Sequence, residues 1–250
     1  MLTVSGVTVR FGGLTAVDSL SLTVGATTIH SLIGPNGAGK TTLFNVISRV
    51  LDPNEGSVTF EGNNLLGKRP HEIVGLGISR TFQNLQLFEL CTVFDNLYSG
   101  LVHGYSGGVL SAIAGRFRRY DEEARDRILE VAELLGIKNR LASYPPSLPY
   151  GILKRIELAR ALASDPRLLL LDEPAAGLNS DETEEFMDVL RTIRESGKTL
   201  LLVEHDMQLV MGISGTITVM DFGKKIAEGA PADVARDPDV IRVYLGEEVS

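Results

Sequence analysis

The stretch Gly34-Pro35-Asn36-Gly37-Ala38-Gly39-Lys40-Thr41-Thr42 concentrates more usable chemistry than any other part of the chain. Gly34 and Gly39 enclose four residues, and Lys40 and the hydroxyl residue Thr41 follow at once. That spacing suits a loop whose backbone N–H groups, from Asn36 through Gly37, Ala38 and Gly39, turn inward around phosphate oxygens. The helix that follows adds the positive end of its dipole. Lys40 can reach the β- and γ-phosphates of a nucleotide, the Thr41 hydroxyl can join the shell of a Mg²⁺ ion, and Thr42 can contact the α-phosphate. The context agrees. An apolar strand of about Thr28 to Ile33 runs into the loop, and Leu43, Val46 and Ile47 recur at helical spacing behind it. A glycine-rich turn that binds nothing is the plainer alternative; motif and context together disfavour it.

A phosphate loop of this kind works with a separate acidic site for the metal. The run Leu168-Leu169-Leu170-Leu171 ends in Asp172, which places a carboxylate at the C-terminal edge of a sheet, where α/β folds bind ligands. Glu173 follows immediately. Successive strand residues point to opposite sides, so the two acids are expected to have different jobs. Asp172 is the candidate holder of the Mg²⁺ water shell, and Glu173 the candidate general base that polarises an attacking water. A lone Asp-Glu is ordinarily an exposed strand end. Four leucines before it, in a chain that already carries the phosphate loop, favour the site.

The elements that must position these residues can be read around them. The first thirty or so residues alternate with period 2: Val7 and Val9 flank Thr8, and Leu20, Leu22 and Val24 flank Ser21 and Thr23. An antiparallel sheet with one wet face is expected there. Two buried strands come late, Leu168 to Leu171 and Leu200 to Val203, and a final pair, Thr216 to Met220 and Lys225 to Ala227, is expected to be peripheral. Between them lie helical patterns. Asp121 to Leu135 has acidic residues at its start, Ile128, Val131, Ala132 and Leu135 on one face, and Gly136 as a stop. Ile156, Ala159, Leu162 and Ala163 mark a second helix, ended by Asp165-Pro166. The fold class is therefore α/β: a P-loop NTPase (RecA-like) core, an N-terminal antiparallel β subdomain and an inserted α-helical subdomain. One domain of 1–250 is expected, with 1–84 and 153–250 as core and β subdomain and 85–152 as the helical part.

Bulk properties set outer limits. At 250 residues, 44% hydrophobic and 22% charged, the chain can bury a single large core. Its formal net charge of −8 counts against non-specific nucleic-acid binding, so no nucleic-acid partner is expected. Cys91 is the one cysteine and cannot form an internal disulfide, which suits a reducing cytoplasm. No secretory signal is expected at the N-terminus. Strongly apolar runs stop at four residues, as in Leu168 to Leu171, against the roughly 18–20 needed to span a bilayer. Any membrane crossing is left to other chains.

With two phosphate-site motifs in place, the whole chain resembles the ABC ATPase family. Phe11 precedes the phosphate loop where the family has an aromatic that stacks on adenine. Gln83, in Thr81-Phe82-Gln83-Asn84, resembles the Q-loop glutamine that touches Mg²⁺ or water and faces the membrane subunits. His205, after Leu200 to Val203, resembles the switch histidine at the γ-phosphate. The family's LSGGQ signature, which closes over ATP held by an opposing subunit, corresponds to Leu148-Pro149-Tyr150-Gly151-Ile152. Pro149 has neither the hydroxyl nor an N–H, so Gly151 and the helix dipole are what remain for a phosphate contact.

The LPYG form resembles one branch, the larger of the two ATPase subunits of branched-chain amino acid importers. Arg80-Thr81-Phe82-Gln83-Asn84, Asp172-Glu173-Pro174-Ala175-Ala176-Gly177-Leu178-Asn179 and Val203-Glu204-His205-Asp206-Met207 fit the same branch. Ile152 replaces the usual Gln, and Asn179 stands where most of the family has Asp. The resemblance implies an ATP- and Mg²⁺-dependent ATPase at the cytoplasmic face of the cell membrane. It also implies a second ATPase subunit, as a heterodimer or homodimer, two membrane permeases and, indirectly, an extracytoplasmic solute-binding protein. The apolar residues after Gln83, namely Leu85, Leu87, Phe88 and Leu90, would meet the permeases, or else pack within the helical part. Import of urea or short amides, export, a soluble ABC ATPase of translation or DNA repair, and a non-hydrolysing scaffold are the competing readings.

Overall fold

The computed structural model describes residues 1–81, 85–101 and 116–246. Its N-terminal sheet has four antiparallel strands in the order β2-β1-β4-β5, formed by β1 (Leu2–Phe11), β2 (Leu14–Val24), β4 (Glu55–Phe60) and β5 (Asn63–Asn64). The alternation seen in the sequence is the alternation of burial except at Thr8, which is buried between Val7 and Val9 with its Oγ1 accepting the Ser19 N–H at 3.0 Å. Leu2, Val4, Val7 and Val9 of β1 are covered, as are Val17, Leu20, Leu22 and Val24 of β2.

The second sheet has six strands in the order β10-β9-β3-β8-β7-β6. Here β3 (Ile29–Ile33), β6 (Ile78–Arg80), β7 (Leu168–Asp172), β8 (Thr199–Val203) and β9 (Thr216–Asp221) pair in parallel, and β10 (Lys224–Gly229) closes one edge antiparallel to β9. Every residue of β3, β7 and β8 is buried, because both faces of the sheet are covered. The two faces feed different cores. Leu168, Leu170, Leu201 and Val203 pack with Leu43, Phe44 and Ile47 of α1 (Lys40–Ile47), with Ile73 of α2 (Glu72–Gly75) and with the N-terminal sheet. Leu169, Leu171, Leu200 and Leu202 pack on the opposite side, against α3 (Val93–Leu101), α4 (Arg116–Leu134), α5 (Tyr150–Ala163) and α6 (Ser180–Glu195). The side-chain period of two thus makes one leucine run serve two cores at once. Each fully covered leucine contributes on the order of 1.5–3 kcal/mol.

Two further sequence expectations are corrected here. The late strand pair is not peripheral as a whole: β9 lies beside β3, with Ile217, Thr218, Val219 and Met220 buried, and only β10 is an edge. Its inner position follows from Ile217 and Val219, which join a third core with Val210 of α7 (Met207–Ile213), Val234 of α8 (Pro231–Val234) and Val240 of α9 (Pro238–Gly246). The helix expected from Asp121 starts earlier, at Arg116, so Asp121 to Glu123 fall in its second turn. Arg116 to Tyr120 contain no breaker, so the helix runs through them. Gly136, with φ +68°, follows the helix as expected. Among the described residues no helix is long and apolar enough to cross a membrane.

Candidate nucleotide site

The phosphate loop joins β3 to α1 and sits over the C-terminal edge of the six-stranded sheet. Two glycines are required by close approach. A Cβ on Gly34 (φ +148°) would stand 2.0 Å from the Met220 carbonyl oxygen, and one on Gly39 (φ +98°) 2.3 Å from that of Ala16. The loop is therefore pressed between the β9 end and the start of β2. Gly223, in the β9–β10 turn, pins it further by donating its N–H to the Ala38 carbonyl at 3.1 Å. Asn36 and Gly37 are exposed, Ala38 is buried, and Thr41 and Thr42 occupy the first turn of α1, where helix N–H groups lack helical acceptors. Lys40 is 9% exposed, and its ammonium donates to the carbonyls of Gly34 at 2.5 Å and Pro35 at 2.8 Å. The cation is held at the mouth of the loop rather than extended into solvent.

Asp172 ends β7 opposite Val203, and Glu173 leaves the strand in the left-handed region with φ +47°. The divergence of the two carboxylates thus comes from a backbone turn at Glu173, not from strand alternation alone. A non-glycine residue held there costs on the order of 1–3 kcal/mol, and the Glu173 N–H bond to Val203 O at 2.8 Å helps to hold it. Asp172 is buried and paired with Arg80, Nη2 to Oδ2 at 2.8 Å. Glu173 is partly exposed, and its Oε2 lies 3.9 Å from Nδ1 of the exposed His205. That distance is too long for a direct hydrogen bond and short enough for both groups to face one small ligand.

Phe11 closes β1 at a two-residue Gly12-Gly13 turn and is half exposed, as a stacking surface requires. Pro149 (φ −57°, ψ 152°) caps α5, whose first turn holds Tyr150 and Gly151. Tyr150 turns back on its own chain: its hydroxyl donates to the Ala176 carbonyl at 3.2 Å. The first turn of α5 therefore packs against the segment that follows Glu173. Gln83 lies outside the described residues. Asn179, noted only as a departure in the sequence, caps α6 reciprocally with Glu182, each side chain accepting the other's N–H at 3.0 Å.

Sequence reasoning assigned no role to two further residues at the site. Arg80 fastens Asp172 and also donates to Asn45 Oδ1 at 2.7 Å and Ser48 Oγ at 2.8 Å, tying β6 and β7 to α1 and its C-terminal cap. Glu204, 1% exposed, accepts the N–H of Ala175 at 2.9 Å on one oxygen and that of His205 at 3.0 Å on the other. Burial raises its pKa, and these N–H donors and the neighbouring His205 oppose the rise. The signal for both was proximity in sequence: each stands within three residues of a candidate site residue.

With one loop for phosphates, one buried carboxylate at a strand end and a Glu–His pair beside them, the arrangement can bind a nucleoside triphosphate and activate water against it. Known proteins similar to the chain identify its family. Residues 17–176 match the family model described as ABC transporter, and residues 224–250 match that of the branched-chain amino acid ATP-binding cassette transporter. The chain is 43% identical to the high-affinity branched-chain amino acid transport ATP-binding protein LivG of Salmonella typhimurium, covering 99% of this chain and 98% of that one. It is 42% identical to BraF of Pseudomonas aeruginosa, described in the same terms, over the same shares. Among solved structures, the ADP conformation of MJ1267, an ATP-binding cassette of an ABC transporter, superposes with a TM-score of 0.87 at 31% identity over 98% of each chain. A dimeric post-hydrolysis cassette, MJ0796 bound to ADP and Pi, gives 0.76 at 28% identity over 92% of this chain and 99% of that one. The chain belongs to the ABC transporter family, among the ATP-binding proteins of branched-chain amino acid transport.

Proposed function

We propose that the chain binds and hydrolyses ATP to energise import of branched-chain amino acids, working at the cytoplasmic face of the membrane through permease subunits. The observation that carries the chemical part is the convergence of Lys40, Asp172, Glu173 and His205 on one edge of the sheet, with Glu173 and His205 3.9 Å apart. The full-length likeness to LivG and BraF supports the solute. In this reading Asn36 to Thr42 hold the phosphates, Lys40 among them, and Phe11 stacks on the adenine. Glu173 takes the proton of the attacking water, and His205 faces the γ-phosphate. Pro149, Tyr150 and Gly151 close over the nucleotide of a second ATPase subunit, a heterodimeric partner or another copy of this chain.

The donors present fit Mg²⁺. The Thr41 hydroxyl and the Asp172 carboxylate offer oxygen alone, and such an ion completes its shell with waters and phosphate oxygens. Gln83 belongs to the same proposed set. When bound, the ion would neutralise charge on the phosphates; the chain's part is to hold Asp172 at the strand end, which Arg80 does. The division into 1–84 with 153–250 and a helical part of 85–152 belongs to this reading too, with Phe88 and Leu90 exposed on the latter toward the permeases. Uptake of labelled leucine, isoleucine and valine by the complex reconstituted with its permeases and solute-binding protein tests the solute. ATP-dependent uptake of these three supports it; uptake of urea or a short amide in their place overturns it.

A further inference from the structure

The parallel ladder between β7 and β8 ends at the pair Asp172 and Val203, and both chains then leave the sheet beside the site. Two bonds continue the junction past that point. The Glu173 N–H reaches Val203 O at 2.8 Å, and the Ala175 N–H reaches Oε1 of Glu204 at 2.9 Å. The other oxygen of the same carboxylate accepts the His205 N–H at 3.0 Å, with the Asp206 N–H at 3.4 Å. A side chain that is 1% exposed thus takes over where backbone pairing stops.

The segments it joins carry the two groups that face each other. The Ala176 N–H returns to Glu173 O at 3.1 Å, so Ala175 lies inside a turn that begins at Glu173. Glu173 itself sits at φ +47°, a conformation that persists where the surroundings impose it. On the other segment His205 is followed by Asp206, which caps α7 by accepting the N–H groups of Gln208 at 2.9 Å and Leu209 at 3.1 Å. Oε2 of Glu204 also lies 3.9 Å from Nδ1 of His205, the same distance as Oε2 of Glu173. A carboxylate serves both segments because each oxygen accepts. An amide accepts on one side and turns N–H against N–H on the other.

We propose that Glu204 is a positioning residue for hydrolysis: by accepting the N–H groups of Ala175 and His205 on its two oxygens, it sets the separation of the Glu173 carboxylate from the His205 ring. It acts through these segments rather than on water or phosphate. The inference rests on the hydrolytic reading of Glu173 and His205 given above. Loss of one acceptor releases one segment from the other, and a displacement near 1 Å between groups that must meet one small ligand can cost on the order of 10² in rate. The phosphate loop and Phe11 stand apart from this junction, so nucleotide binding is left in place.

The test uses the assembled transporter with E204Q, E204D, E204A, H205A, the E204A and H205A double variant and, as reference, E173Q. ATP turnover, KM for ATP and the thermal midpoint are read for each. E204Q should lose about tenfold in kcat with KM for ATP within about threefold of wild type. Its midpoint should stay close to wild type, because the amide removes a buried charge as it gives up a bond. E204D, one methylene shorter, should lose a similar amount, and both carry the test whether or not E204A assembles. The double variant should lose less than the product of its single losses. An unchanged kcat in E204Q and E204D overturns the inference, as do losses that multiply in the double variant. So does a loss that appears in KM instead, or one that vanishes when turnover is read well below a lowered midpoint. E173Q separates the two readings. Wild-type turnover in E173Q removes the hydrolytic reading and this inference with it; an inactive E173Q beside fully active Glu204 variants removes this inference alone.

Discussion

Arg80 and Asp172 form an ion pair at 2.8 Å in which the side chains are only 11% and 8% exposed, at the point where α1, β6 and β7 meet. The guanidinium also lies over the Phe44 ring at 5.7 Å and binds Asn45 and Ser48, so it is held by α1 and its C-terminal cap. Truncation to alanine leaves a buried carboxylate without its cation. R80A should lose about 3–5 kcal/mol of stability in urea unfolding. R80A with D172N should lose less than the two changes summed; additive losses would show that the pair does not act as a unit.

Gly34 admits no side chain. Its φ of +148° and a Cβ position 2.0 Å from the Met220 carbonyl mean that alanine forces the phosphate loop away from β9. G34A should weaken ATP binding by more than about tenfold and cost roughly 2 kcal/mol or more in stability. Equilibrium nucleotide titration and a melting curve check both; wild-type affinity would mean that the loop has another way to seat.

Pro149 at the cap of α5 supplies neither hydroxyl nor N–H to a phosphate. In the proposed pair the nucleotide that this turn covers belongs to the second ATPase subunit, so the two sites of a heterodimer should be unequal. Replacing Glu173 here by Gln, and separately the matching residue of the partner cassette, should leave different residual ATPase rates. Equal rates would count against the asymmetry.

His30 is buried in β3, bonded through Nε2 to Thr218 Oγ1 at 2.8 Å, and burial lowers its pKa from 6.5 to about 4. Glu228 works against the shift and Lys225 with it. Between those values the unfolded chain binds the proton and the folded chain does not, so stability rises with pH across that window and is complete above it. The contribution is on the order of 3 kcal/mol. H30Q should flatten the dependence of unfolding free energy on pH between 4 and 6.5 relative to wild type; an unchanged slope would assign it to other groups.

The parts of this molecule legible in the sequence are those where chemistry and periodicity coincide. The loop from Gly34 to Thr42 and the run Leu168 to Asp172 combine a motif with a buried strand, and both lie where their spacing placed them. Partnering was less legible. Arg80 and Glu204 stood in the motif-bearing stretches, but a sequence does not say that Asp172 lies beside the strand of Arg80, or that the Ala175 N–H faces Glu204. The inner position of β9 was hidden for the same reason, because Thr216 and Thr218 give it an alternating pattern while its neighbour β3 buries both faces. The left-handed turn at Glu173 has no residue signal, since glutamate rarely adopts it.

The proposed function makes Glu173 the general base, so the most direct measurement is ATP turnover of the assembled transporter carrying E173Q, made together with ATP binding. Turnover should fall by about 10²–10⁴ while nucleotide affinity stays within a few-fold of wild type. Turnover at the wild-type rate would contradict the account.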